Sequence, residues 1–353
     1  MGKGKVVVGL SGGVDSSVAA WLLKREGYEV IGATMQTWDG DSRDAREQSV
    51  IRDAARVARA LGIPHHVLDF HRQFGSCVAD YFAEEYMSGR TPNPCVVCNR
   101  KVKWEAMLEA ADKLGAGYIA TGHYAGIDRL ENGRYALRQA AADAKDQTYA
   151  LYGLTQEQLS RTLMPVGAYE KDQIRLFAQE AGIPVAAKPD SQEICFIPDG
   201  DYAGFIRKYK GVRIPEGNFV DRQGNVLGRH KGIIHYTIGQ RKGLNLSLGK
   251  PVFVLEIRPE TNEVVLGDNQ DLFTCTVKAR HLNFMSISQL PYGKEMEVWG
   301  KIRYNHRGGA ARIRRTGEDQ LECRFLEPVR AVTPGQALVL YEKEHVLGGG
   351  IIV

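Results

Sequence analysis

Two groups of residues in this chain have types and spacings that could do chemistry. The first is Ser11-Gly12-Gly13-Val14-Asp15-Ser16, followed by Ser17. Gly12 and Gly13 let a backbone approach a bulky anion with no Cβ in the way. The N–H groups of the helical turn that follows, with the hydroxyls of Ser11, Ser16 and Ser17, can hold phosphate oxygens. A Walker A loop would end in Gly-Lys-Ser/Thr, yet no lysine follows these glycines until Lys24, and no G-x-G-x-x-G is present. A loop without a γ-phosphate lysine suits chemistry at the α-phosphate. The second group is three thiols: Cys95 and Cys98, three apart in Thr91-Pro92-Asn93-Pro94-Cys95-Val96-Val97-Cys98-Asn99-Arg100, and Cys195 in Asp190-Ser191-Gln192-Glu193-Ile194-Cys195-Phe196. A helix N-terminus with Arg100 and Lys101 favours the thiolate, the reactive form. C-x-x-C also reads as a redox pair or half a zinc site, but no second such pair exists, so a four-cysteine zinc site is not expected. Cys77, Cys275 and Cys323 read as packed thiols. His65-His66 reads as a strand entry, with no third ligand at metal-binding spacing.

The elements that must position these groups follow from hydrophobic period. The β-branched run 6–8 predicts a buried strand, and the apolar i, i+3, i+4 pattern through Val18, Trp21 and Leu22 predicts a helix ending at Gly27. Strands are expected at 29–35, 66–70 and 118–121. Helices are expected at 43–61 (Ile51, Ala54, Ala55, Ala58, Leu61), across Trp104 to Leu114, and at 171–181. Strands separated by such helices imply an α/β, doubly wound parallel sheet. Ligands then gather at the strands' carboxyl ends, which makes Met35 and Gly122 expected adenosine neighbours. Beyond about residue 205 short alternating stretches bounded by turn residues take over, at 251–258, 263–267, 295–304, 310–315, 320–325, 337–341 and 346–352. The expected organisation is a catalytic domain at 1–204, a small linking domain at 205–272 and a C-terminal β-barrel at 273–353.

Composition narrows the function classes. The 353 residues are 43% hydrophobic and 25% charged, as in an ordinary globular chain, and the net charge is only +4. Any nucleic-acid surface must therefore be a local patch. Arg303, Arg307, Arg312, Arg314 and Arg315 make one basic cluster, Arg207, Lys208 and Lys210 a second, and Arg229 with Lys231 a third. No run of apolar residues is long enough for a membrane span, and no apolar signal segment precedes the first strand. With six cysteines and no such signal, the expectation is a cytoplasmic protein whose clustered thiols are catalytic or metal-binding.

The Ser-Gly-Gly-Val-Asp-Ser string resembles the pyrophosphate loop of the PP-loop ATP pyrophosphatases, which cleave ATP to AMP and pyrophosphate while adenylating a substrate. Further motifs narrow the likeness. Gly89-Arg90-Thr91-Pro92-Asn93-Pro94, Ala120-Thr121-Gly122-His123-Tyr124, Lys145-Asp146-Gln147, Ser191-Gln192-Glu193-Ile194-Cys195-Phe196 and Gly239-Gln240-Arg241-Lys242-Gly243-Leu244 resemble, in order and over nearly the whole chain, the bacterial tRNA-specific 2-thiouridylases.

That resemblance implies an adenine nucleotide hydrolase-like fold. ATP, with Mg²⁺, would bind at Gly9, Leu10, Ser11, Gly12, Gly13, Val14, Asp15, Ser16 and Ser17, with Met35 and Gly122. It implies a sulfurtransferase that adenylates O2 of the wobble uridine in tRNAs for Lys, Glu and Gln. A persulfide on Cys195 then supplies sulfur, and Cys98 is the nucleophile that forms a disulfide with Cys195. Adenylation makes the uracil oxygen a leaving group, and a soft sulfur nucleophile displaces AMP. The uridine must unstack to enter the site. tRNA contacts are implied for Asn93, Pro94, Cys95, His123, Lys145, Asp146, Gln147, Arg303, Tyr304 and Gln336. The implied partners are tRNA and a sulfur-donor protein, a cysteine desulfurase or sulfur relay protein.

Cys95 departs from the pattern, because many family members carry an aspartate there as a candidate general acid/base. A thiol has a much higher ordinary pKa. Three readings stay open: the role is dispensable, His123 supplies it, or Cys95, Cys98 and Cys195 ligate a [4Fe-4S] cluster that delivers sulfide. Beside these stand a different PP-loop adenylating synthetase, which would have no use for the two thiols, and an RNA-binding iron–sulfur protein with a vestigial nucleotide loop.

Overall fold

Val6, Val7 and Val8 are all fully buried, and their alternation assigns them to the two faces of one sheet. Val7 packs with Ile31, Ala33 and Trp104 on one face, while Val6 and Val8 pack with Val18, Leu23 and Ala54 on the other. The computed structural model describes residues 2–38, 43–189 and 194–353, with backbone alone at 43–46, so Asp190, Ser191, Gln192 and Glu193 lie outside the described residues. The chain begins β1 (Lys5–Gly9), α1 (Val14–Arg25), β2 (Glu29–Gln36), α2 (Arg43–Leu61), β3 (His65–Asp69) and β4 (Tyr118–Ala120). A hairpin, β5 (Gly126–Arg129) and β6 (Tyr135–Arg138), then leaves the sheet before β7 (Thr162–Leu163) returns to it. The order β3-β2-β1-β4-β7 with parallel pairings is doubly wound, and its direction of winding reverses between β1 and β4. The expected α/β architecture is therefore present, and the Ser-Gly-Gly loop leaves the sheet at that reversal.

The C-terminal half is β, as the alternation predicts. β8 (Gly217–Val220), β9 (Val226–His230), β10 (Phe253–Arg258) and β11 (Glu263–Gly267) form a sheet in the order β10-β11-β8-β9. β12 (Phe273–Phe284), β13 (Glu295–Lys301), β14 (Gly309–Gly317), β15 (Gln320–Arg330), β16 (Ala337–Glu342) and β17 (His345–Ile352) close into a barrel through the β12–β17 pairing, Ala279 opposite Ile352. β13 stops at Lys301, so Arg303 and Tyr304 sit just past the strand in which alternation placed them.

Two features escaped the sequence pattern. The β5–β6 hairpin pairs with β17 at Arg138 and His345, so a segment from the N-terminal half of the chain extends the barrel sheet. Asp128 fastens the join, accepting from Arg138 Nε at 2.9 Å and lying 2.9 Å from His345 Nε2. The helix 94–113 is also continuous and carries a π-helical stretch at Asn99–Trp104, a local insertion common beside functional groups.

Candidate active site

The loop between β1 and α1 is held open by its own serines. The Ser16 hydroxyl accepts from Ser11 N–H at 3.1 Å and donates to the Gly13 carbonyl at 3.2 Å, and Ser17 Oγ donates to the same carbonyl at 2.7 Å. Gly13 is the N-cap and no side chain caps α1, so its first N–H groups face the loop mouth without a competing hydroxyl. Gly12 has φ +66°, and a Cβ there would meet the Val50 carbonyl oxygen of α2 at 2.9 Å, which is why only glycine fits. Leu10 and Val14 are core residues, so only their backbone can serve a ligand. Met35 lies at the carboxyl end of β2, half-buried against the core. Gly122 lies directly on the first turn of α1, where an added Cβ would stand 2.5 Å from Ser16 N and 2.6 Å from Asp15 C.

The loop lacks a sequence-local lysine, but tertiary structure brings two. Lys171 Nζ binds both oxygens of Asp15 at 2.7 and 3.0 Å, and Tyr124 OH donates to the same carboxylate at 2.8 Å. Asp15 therefore arrives at the loop already neutralised. Lys188 Nζ donates to the Gly12 carbonyl at 3.1 Å and to Asp53 Oδ2 at 2.8 Å. Neither lysine has a local signal, because each lies more than a hundred residues from its partner in the loop.

Beyond Gly122, His123 lies with its Nδ1 2.8 Å from Thr121 Oγ1 and its ring against Trp104, centroids 5.4 Å apart. Trp104 is wholly buried and donates to Thr162 Oγ1 at 2.8 Å, which fixes that wall. Burial, and then the Lys103 charge, hold the His123 pKa well below the ordinary imidazole value. His123 is thus neutral at neutral pH and has no proton to give as an imidazolium.

The Lys103 charge that acts on His123 acts on the Cys98 thiol as well. Asn93 caps the helix, its Oδ1 accepting from Cys95 N–H at 3.2 Å, and Pro94 occupies the first helical position. Cys95 is exposed in the first turn, whereas Cys98 is buried below it. The Cys98 thiol is influenced electrostatically by both Cys95 and Cys195, so the three sulfurs share one neighbourhood. None of the six cysteines is joined in a disulfide. The expectation of a thiolate at Cys98 is corrected: burial pushes its pKa up to about 12, against a lowering influence from Lys103 rather than from Arg100 or Lys101. Cys98 lies past the first turn, where the helix dipole fades, and desolvation dominates. Alkylation of the free protein with iodoacetamide at pH 8 should therefore label Cys95 and Cys195 readily. Cys98 should react about two to three orders of magnitude more slowly, gaining roughly tenfold per pH unit as its thiolate fraction rises. Peptide mass spectrometry reads this out, and equal labelling of all three would refute the buried-thiol geometry.

Cys195 is exposed but anchored by its neighbours. Phe196, 5% exposed, packs edge-on against Phe74, Phe82 and Phe205 at centroid distances of 5.3, 5.5 and 5.2 Å. Among the described residues no group of three or more His, Cys, Asp or Glu side chains is arranged to hold a metal ion.

Most of the remaining expected contacts are already engaged within the fold. Asp146 Oδ1 accepts from Ala140 N–H and its Oδ2 from Thr148 Oγ1, and burial raises its pKa. Gln147 Oε1 accepts from Tyr124 N–H at 2.8 Å, holding the turn after His123. Arg303 donates to the Arg330 carbonyl at 2.9 Å. Tyr304 donates to the Asp146 carbonyl at 3.2 Å, and burial, then the neighbouring Asp146 charge, raises the pKa of its hydroxyl. Gln336 Nε2 donates to the carbonyls of Thr91 at 2.8 Å and Pro92 at 3.2 Å, so the barrel props up the loop that carries Cys95. Elsewhere on the barrel Arg312 pairs with Glu297 and Arg314 with Glu322, which reduces the free positive charge expected there.

Comparison with known proteins agrees with this layout. Residues 4–199 match a family model described as tRNA methyl transferase HUP domain, residues 203–268 the tRNA methyl transferase PRC-barrel domain, and residues 274–352 the aminomethyltransferase beta-barrel domain. The chain is 58% identical to the tRNA-specific 2-thiouridylase MnmA of Lachnoclostridium phytofermentans, over 99% of each chain. It is 52% identical to that of Clostridioides difficile, over 99% of this chain and 98% of the relative. It is 50% identical to that of Clostridium kluyveri, over 99% of each. A glycine–serine loop at the sheet's reversal, three thiols in one neighbourhood and full-length likeness at this level lead to one assignment: the chain belongs to the tRNA-specific 2-thiouridylase family.

Proposed function

We propose that this protein is an ATP-dependent tRNA-uridine 2-sulfurtransferase that thiolates the wobble uridine of tRNAs for Lys, Glu and Gln in the cytoplasm. The observation that carries the reading is the pair of thiols, Cys98 under the electrostatic influence of the Cys195 sulfur, in a chain whose glycine–serine loop packs its first helical turn on Gly122. The backbone of residues 9–17 holds the triphosphate with its Mg²⁺, and Met35 and Gly122 border the adenosine. The uridine O2 attacks the α-phosphorus and pyrophosphate leaves. The terminal sulfur of a Cys195 persulfide, loaded by a donor protein, attacks C2 and expels AMP. Cys98 attacks the Cys195 Sγ, so the transferred sulfur departs with the bond electrons and a Cys98–Cys195 disulfide remains for an external thiol to reduce. Because Cys98 is protonated in the free protein, its activation belongs to the tRNA-bound state. Asn93, Pro94, Cys95, His123, Lys145, Asp146, Gln147, Arg303, Tyr304 and Gln336 form the tRNA side of the site, several of them by shaping it rather than by free side-chain contacts. We take 1–204, 205–272 and 273–353 as the domain limits.

The cluster reading fits less well, since the described thiols do not converge as a metal donor set. The test is sulfur incorporation into unmodified tRNA by the wild type and by Cys95→Ala, Cys98→Ala and Cys195→Ala, with iron assayed in anaerobically purified protein. Loss of thiolation by at least about a thousandfold in the Cys98 and Cys195 variants, with tRNA-dependent pyrophosphate release in the adenylation step retained, is expected of residues that form covalent intermediates. Activity that requires iron and all three cysteines would overturn the persulfide route in favour of the cluster.

A further inference from the structure

We propose that Lys188 binds the β- and γ-phosphates of ATP in the loop, and that Asp53 of α2 holds it in reserve until nucleotide arrives; the proposal rests on the nucleotide reading above. The two lysines at the loop are held differently. Lys171 is tied to both oxygens of Asp15, lies over the Tyr124 ring at 5.7 Å, and has a side chain 14% exposed. Its charge is spent on a partner inside the fold. Lys188 is held by one carboxylate oxygen and one carbonyl, with its side chain 38% exposed. The ammonium sits on the Gly12 carbonyl, at the rim of the pocket a phosphate would occupy. There it faces an oxygen anion, the Asp53 carboxylate, that resembles a phosphate oxygen in charge and hydrogen-bonding role.

Exchange of that partner leaves neither group stranded. Asp53 keeps Arg56, whose Nη1 lies 3.5 Å from the other carboxylate oxygen. Lys188 moves from a single carboxylate to a triphosphate that carries more charge. The loop then regains through the fold what its sequence lacks, a lysine against the leaving pyrophosphate. A long flexible ammonium suits that task, because it follows a phosphate as a point charge without fixed bidentate geometry.

The experiment is calorimetric binding of α,β-methylene ATP with Mg²⁺, and separately of AMP, to the full chain and to Lys188→Met, Asp53→Asn and the double variant. Lys188→Met should weaken the triphosphate by at least about tenfold, the scale of a charge-assisted hydrogen bond, and leave AMP nearly unchanged. Asp53→Asn should tighten the triphosphate several-fold by freeing Lys188, and the double variant should match Lys188→Met alone. Lys188→Gln, which keeps a polar donor to Gly12, guards against a merely structural loss and should bind as weakly as Lys188→Met. Triphosphate affinity unchanged in Lys188→Met, equal losses for AMP and triphosphate, or weaker binding in Asp53→Asn would each overturn the proposal. A wild-type chain that binds neither ligand would instead overturn the nucleotide reading beneath it.

Discussion

Replacing Gly122 by alanine should lower tRNA-dependent AMP formation by on the order of a hundredfold while leaving the protein folded. The new Cβ would stand 2.5 Å from Ser16 N, 2.6 Å from Asp15 C and 2.8 Å from Ser16 Cα. These are backbone atoms of the first turn of α1, so no side chain can swing aside to relieve the contact. Either β4's exit or the helix N-terminus must move by about 1 Å, and a misplacement of that size at a reacting centre costs roughly a hundredfold. Overpacking at one site costs about 1–3 kcal/mol, which a domain of this size survives. The expected signature is thus a modest fall in Tm with a large loss of AMP release. A Gly122→Ala protein with wild-type turnover would show that the loop and the Thr121-Gly122-His123 turn are not packed as described.

The second large effect is expected at Phe196, beside the exposed Cys195. Its ring is wedged among Phe74, Phe82 and Phe205, and Trp38 lies 5.9 Å away. Truncation to alanine should cost about 3–5 kcal/mol, the usual range for a buried phenylalanine, and lower Tm by roughly 10 °C. The loss should fall unevenly on the reaction. Adenylation depends on the loop at the sheet's reversal and should survive below Tm, while sulfur transfer, which needs Cys195 near Cys98, should fall steeply. Phe196→Leu, closer in volume, should recover most of both. Equal losses of adenylation and thiolation would argue that Phe196 serves general stability rather than the placement of Cys195.

Local pattern made much of the molecule legible. The glycine–serine loop between a β-branched strand and a helix, the doubly wound sheet and the run of antiparallel strands all follow from residue spacing within short windows. The order of motifs along the chain was enough to carry the family resemblance. What local pattern did not carry was contact between distant segments. No strand is expected from the sequence at the β5–β6 hairpin, and only its pairing with β17 makes it part of the barrel sheet. Gln336 lies just before the strand expected at 337–341 and is implied there only as a tRNA contact, and only the fold places it under the carbonyls of Thr91 and Pro92.

The chemistry divides along the same line. Sequence alone determined which residue types were present: a loop able to hold phosphate and three cysteines in polar segments. Tertiary structure decided their state. Cys98 carries a thiol and not a thiolate because burial outweighs nearby positive charge, and burial is a property of everything packed around a residue, not of its neighbours in the chain. Lys171 and Lys188 reach the loop by folding across more than a hundred residues. Coulomb and hydrogen-bond energies depend on distance in space, so no pattern along the chain could have reported them.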